Sequence, residues 1–86
     1  MRAKRVGLQK NACVALGNEK NIAAIPALIS TLTNPEPLVR GHAAWALGEI
    51  STGEALSALE AAIQSETNSY VIGEIQEALK ATVDSA

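Results

Sequence analysis

Arg40, His42 and Trp45 stand close together in the stretch LVRGHAAWALGEI (38–50), which holds the only histidine and the only tryptophan of the chain. Each offers a different chemistry. A guanidinium presents forked donors to a phosphate or a carboxylate. An imidazole bonds a phosphate or a ribose 2′-hydroxyl, and an indole stacks on an unpaired base. Each residue also has an architectural role open to it. Arg40 can bond an acidic or carbonyl group in an inter-helix loop, and Trp45 can pack between helices with its N–H on a carbonyl. His42 can sit satisfied in an interface or dock a neighbouring domain. The architectural role is favoured for Arg40 and Trp45, and the two roles of His42 stand level.

Lys4, Arg5, Lys10 and Lys20 supply positive charge with no local partner. Residues 1–20 sum to +4 and residues 41–86 to −6, while 21–40 are neutral. Such polarity draws a polyanion to one end of a molecule and keeps it from the other. Contacts from these side chains to phosphate attract without reading sequence. No aromatic residues interleave them, so they form no stacking platform. A solvated face with accidental bias is the plainer reading, and charge alone does not choose. The acids at 49, 54, 60, 66, 74 and 77 read as a solvated surface.

Catalysis finds no set of groups here. Cys13 is the single cysteine. It makes no internal disulfide, paired-cysteine zinc site or four-cysteine cluster cradle, and its apolar surroundings suggest a small buried hydrophobe. His42 has no second imidazole or thiol for a metal site. There is no glycine-rich phosphate loop, paired catalytic carboxylates or Ser/His/Asp set. No run approaches the ~18 apolar residues of a membrane span, and the N-terminus lacks a secretory apolar region. With no disulfide, these features lead us to expect a cytoplasmic chain without a membrane partner.

The elements that carry these residues repeat. LQKNACVALG (8–17), VRGHAAWALG (39–48) and VIGEIQEALK (71–80) superpose, making Leu16, Leu47 and Leu79 equivalent at spacings of 31 and 32. Between them, Ile25, Leu28 and Leu32 align with Leu56, Leu59 and Ile63 at an offset of 31. Every segment has helical period: Val39, Ala43, Ala46, Leu47 and Ile50 form one apolar stripe. We expect B helices over 5–17, 37–50 and 69–81 and A helices over 22–33 and 54–64. Pro37 and Asn68 suit helix starts, and Pro26 is tolerated near one. The turns GNEKN and STGE read as stops. Short helix pairs of this period describe an all-α solenoid of the HEAT-like kind, about two and a half repeats in one domain spanning 1–86. Only about 60–65% of the unfolded surface is buried at this size, so the core is thin.

Gly41 and Gly48, away from the stripe, each cost about 0.5–1 kcal/mol relative to alanine within a helix. They offer a smooth track on which another backbone comes close, with intramolecular packing favoured over a sugar-phosphate strand. The first unit has a B helix and no A helix. The expectation is therefore a piece of a longer protein, with a missing partner over Leu8, Ala12 and Val14, or else dimerisation through that first helix.

The segments NACVALGN, IPALISTLTNPEPL and above all RGHAAWALG resemble the C-terminal HEAT-like region of bacterial epoxyqueuosine reductase. They resemble more loosely the repeats of phycobilisome lyases. The likeness extends over roughly Arg5 to Ala81. It implies a tRNA-modifying oxidoreductase of queuosine biosynthesis, of an iron–sulfur cluster-binding family, using two [4Fe-4S] clusters and a cobalamin. Those groups and the catalytic acid would lie in an upstream part of such a protein, so none is expected in this chain. The implied role of the helical part is to help hold the tRNA anticodon stem-loop against the catalytic domain. The alternative is a protein–protein scaffold. RNA or partner contacts are expected among Lys4, Arg5, Lys10, Arg40, His42 and Trp45, and structural roles for Gly41, Gly48, Leu16, Leu47 and Leu79.

Overall fold

A computed structural model describes residues 2–84 of the chain. Five α-helices account for nearly all of it: α1 (Arg2–Glu19), α2 (Ile25–Thr31), α3 (Pro37–Ile50), α4 (Gly53–Ser65) and α5 (Ser69–Asp84). No strand occurs among the described residues. Local chemistry sets the ends. Proline opens α3, where its missing N–H is no loss. The Thr52 hydroxyl accepts from the Ala55 N–H at 3.2 Å, and the Asn68 side chain accepts from the Val71 N–H at 3.2 Å, capping α4 and α5.

Several expected boundaries move: α1 begins at Arg2 rather than at 5, and α5 runs to Asp84 rather than to 81. The A helix placed over 22–33 is split into a 3₁₀ turn (Ile22–Ala24) and the short α2. Pro26 has no N–H to give the Ile22 carbonyl, so an α-helical turn cannot be completed there. Helix α1 does not stop at Gly17 but runs on to Glu19. Its stop is Lys20, at φ 52 in the left-handed region. The Lys20 N–H donates to the Gly17 carbonyl at 3.1 Å and the Asn21 N–H to the Leu16 carbonyl at 3.2 Å, a Schellman ending with lysine where glycine is usual.

The B helices α1, α3 and α5 lie side by side, with α2 against α3 and α4 against α5 in a second layer. The slab measures 42 × 28 × 17 Å, the thinnest dimension being two helix layers. Its core joins Ile25 and Leu28 of α2, Val39, Ala43 and Leu47 of α3, Leu59 of α4, and Val71 and Ile75 of α5. Leu16 and Leu79, equivalents of Leu47, pack half-buried at its edges.

Glycine sets how closely the B helices approach. A β-carbon on Gly17 would fall 2.6 Å from the Trp45 ring and 3.0 Å from the Ala46 Cα. On Gly48 it would fall 2.6 Å from the Ala78 Cβ and 3.0 Å from the Ala78 Cα. Gly17 and Gly48 are repeat equivalents, as are Ala46 and Ala78, so one seam is built twice. At the corresponding place in α5 stands Lys80, exposed. The ring of Tyr70 lies over Gly41, leaving a β-carbon no room. The small-residue track of α3 is thus filled by α5 of the same chain.

The outer face of α1 is open. Leu8 is 63% exposed, whereas its equivalents Val39 and Val71 are at 0%. Ala12 and Ala15 are exposed too. Val14 departs from the expected uncovered set: it is half-buried and turned toward the other B helices.

Candidate functional site

Helix α3 carries Arg40 and His42 two residues apart, about 200° around the helix axis, so they serve opposite sides of the slab. His42 and Trp45, three apart, share a side. The three residues therefore belong to two separate places in the fold.

Arg40 is committed within the fold. Its Nε donates to Glu66 Oε2 at 2.8 Å, its Nη2 to Glu66 Oε1 at 3.0 Å and its Nη1 to the Asn34 carbonyl at 2.9 Å. Glu66 Oε1 also accepts from the Thr67 N–H at 3.1 Å and the Asn68 N–H at 3.0 Å. This fork joins the loop before α3 to the loop before α5. The bonds from Arg40 are the chief reason the Glu66 carboxyl is held below its ordinary value of 4.5. Arg40 is therefore not a free phosphate donor, and Glu66 leaves the group of solvated acids. The pair borders a hollow of about 540 Å3 between α2 and α4, otherwise lined mainly by alanine, threonine and aliphatic side chains.

The opposite side holds a groove of about 310 Å3, lined by Val14 and Asn18 of α1, His42 and Trp45 of α3, and Tyr70 and Glu74 of α5. Trp45 is half-buried against Gly17, so its packing role between B helices is plain, yet one part of the ring lines the groove. His42 Nδ1 lies 2.8 Å from the Leu38 carbonyl, which accepts the Nδ1 proton. The Tyr70 hydroxyl oxygen lies 3.2 Å from the same nitrogen. Burial, and then the charge of Glu74, raise the Tyr70 phenol above 10.0. A smaller hollow of about 190 Å3 continues the groove past Trp45 to Glu49, Glu74 and Glu77. Among the described residues no lysine or arginine lines either part.

The basic residues of α1 do not form one patch. At 100° per residue, Lys4, Arg5 and Lys10 project about 100–140° apart. Lys4 and Arg5 are exposed and Lys10 half-buried. Arg5 turns toward Gln9, Asn34 and Glu36, on a different side from the groove. Positive charge thus marks an end of the slab rather than a face. Cys13 is 4% exposed, and burial raises its thiol above 9.0. An iron–sulfur cluster needs several thiolates, and among the described residues no three potential ligands gather. No buried side-chain N or O atom among them lacks a partner, so no orphaned polar cradle awaits a corrin either. These residues do not fit the cofactors that the resemblance implies for a larger protein. No helix among the described residues is long and apolar enough to cross a membrane.

Glu66, Tyr70 and Glu74 were not among the expected site residues. The repeat offset of 32 held a signal: it makes Tyr70 the equivalent of Leu38, and Glu74 of His42. Substitutions that break a repeat mark where its surface changes character.

A family model for HEAT repeats matches residues 2–80. An epoxyqueuosine reductase from Bacillus anthracis is 42% identical over 74 residues, which are 85% of this chain and 20% of that protein. One from Listeria monocytogenes is 41% identical over 69 residues, 79% of this chain and 18% of the relative. The crystal structure of a selenomethionine-labelled epoxyqueuosine reductase superposes with a TM-score of 0.80 at 32% identity, over 85% of this chain and 20% of the other. The chain spans about a fifth of the length of these relatives.

Proposed function

The chain belongs to the HEAT-repeat family, and on that footing we propose that it acts as the non-catalytic helical-repeat module of an epoxyqueuosine reductase. In this reading it packs on the catalytic part of a tRNA-modifying oxidoreductase and helps hold the tRNA anticodon stem-loop. The observation that carries it is the open face of α1. Leu8, Ala12 and Ala15 occupy the repeat positions that are sealed in α3 and α5. A face of this kind suits attachment to a larger body. The positive charge lies at the α1 end of the slab, beside that face rather than on it, so in this reading the RNA strand approaches that end, over Lys4, Arg5 and Lys10, at the rim of the attachment.

Such contacts give affinity without sequence preference and make it depend on salt. The test is the binding of a queuosine-type anticodon stem-loop to the reductase carrying this segment, before and after Lys4→Ala, Arg5→Ala and Lys10→Ala together. At low salt the triple variant binds at least tenfold more weakly, and the slope of log affinity against log salt falls by about 1 for each phosphate no longer neutralised. Equal binding by both proteins at low salt would remove the RNA role. A protein-binding role is the second reading, favoured by the acid-walled groove on the B-helix side.

A further inference from the structure

We propose that the groove between Trp45, Tyr70 and Glu74 is a binding site for a basic side chain, arginine or lysine, presented by a partner polypeptide. The inference concerns a different surface from the one assigned to RNA and does not rest on that assignment.

Three observations converge on the occupant. The walls are aromatic: Trp45 and Tyr70 line the groove, with Tyr70 41% exposed. Aromatic faces attract a cation through their negative quadrupole, and guanidinium also stacks on them. Carboxylates lie along the same wall, Glu74 in the groove and Glu49 and Glu77 in its extension, and none has a salt bridge among the described residues. Finally, among the described residues no cation of the chain itself lines the space. A phosphate strand would meet only like charge here, whereas a guanidinium or ammonium would meet rings and carboxylates together. Charge complementarity therefore selects a basic polypeptide over a nucleic acid. The Nδ1 bond to Leu38 and the Tyr70 hydroxyl hold the His42 ring, which keeps that wall in place for an incoming chain.

Trp45 is the only tryptophan, so the tryptophan emission of the chain comes from a ring that lines this groove. The full chain is titrated with hexa-arginine, hexalysine and hexaglutamate peptides and with the anticodon stem-loop. The cationic peptides produce a saturable change in Trp45 emission, and hexaglutamate produces none. Glu74→Gln with Glu77→Gln weakens the cationic peptides at least tenfold, while Glu54→Gln with Glu60→Gln on α4 changes affinity less than twofold. Because Glu74 is half-buried, the exposed pair Glu49→Gln and Glu77→Gln serves as the second variant, weakening binding several-fold with helical circular dichroism unchanged. The proposal is overturned by silence of Trp45 toward the cations. It is equally overturned by the same loss in the α4 variant, which marks general charge attraction, or by a tighter Trp45 response to the RNA than to the peptides.

Discussion

Gly48 and Gly73 both lie inside B helices, those of successive repeats, yet they meet opposite surroundings. Gly48 faces α5 so closely that a methyl group would strike the Ala78 methyl and press on its backbone. Gly73, and likewise Gly7 on α1, has nothing within 4 Å of where a β-carbon would stand. Glycine carries the same penalty against helix formation at all of these places. Only at the seam does closeness of the next helix offset it, through the dispersion contacts that a shorter separation brings. What a glycine does in this fold is decided by the neighbouring helix, not by its own.

The sharpest way to break this contrast is Gly48→Val. Its branched side chain has no space and a poor helical preference, and we expect a loss of about 3 kcal/mol in urea unfolding. Arg40→Met comes next, at about 2 kcal/mol, because it leaves Glu66 largely enclosed without its charged partner. It separates the polar clamp of the loops from the apolar seam. This clamp also has a pH signature. The Glu66 carboxyl titrates lower in the folded chain than in the unfolded one, so its contribution is present above the ordinary value of 4.5 and disappears as pH falls through the lower folded value. Stability curves of the parent chain and Arg40→Met should therefore draw together in acid.

Gly17→Ala is milder, about 1 kcal/mol, since the nearest atom belongs to the Trp45 side chain and the ring can shift, although Ala46 stays close. A blue or red shift of Trp45 emission should accompany it. The smallest change has the opposite sign: Gly73→Ala adds about 0.5–1 kcal/mol by thermal melting, with no neighbour to disturb. Destabilisation by Gly73→Ala comparable to that of Gly17→Ala would erase the distinction between seam and outer face.

The helices and their stacking were readable because apolar spacing carries them. Leu16, Leu47 and Leu79 announce the repeat, and burial of Val39, Ala43 and Leu47 follows from the stripe. The stop of α1 was not readable from Gly17, since one residue type serves both turns and close packing. Lys20 took the left-handed position that glycine was expected to mark. Arg40 could be assigned to an inter-helix loop, but its acid could not be named. Glu66 lies 26 residues on, across a two-helix excursion that no local pattern encodes. The groove was half visible: His42 and Trp45 shared a side in any helix, whereas Tyr70 and Glu74 reach it only through the packing of α5 on α3. Lys4, Arg5 and Lys10 are neighbours in the sequence and diverge around the helix, so proximity in the chain overstated their unity.

Lys80 gives this layered arrangement a direction. A second copy joined in tandem after α5 would find a long charged side chain where Gly17 and Gly48 offer bare backbone, and its first B helix would be held farther off than α3 and α5 are from the helices before them. Lengthening the superhelix at the same spacing by gene duplication, or by an engineer's concatenation, would first require that one codon to revert to a small residue; growth from the α1 side carries no such obstacle.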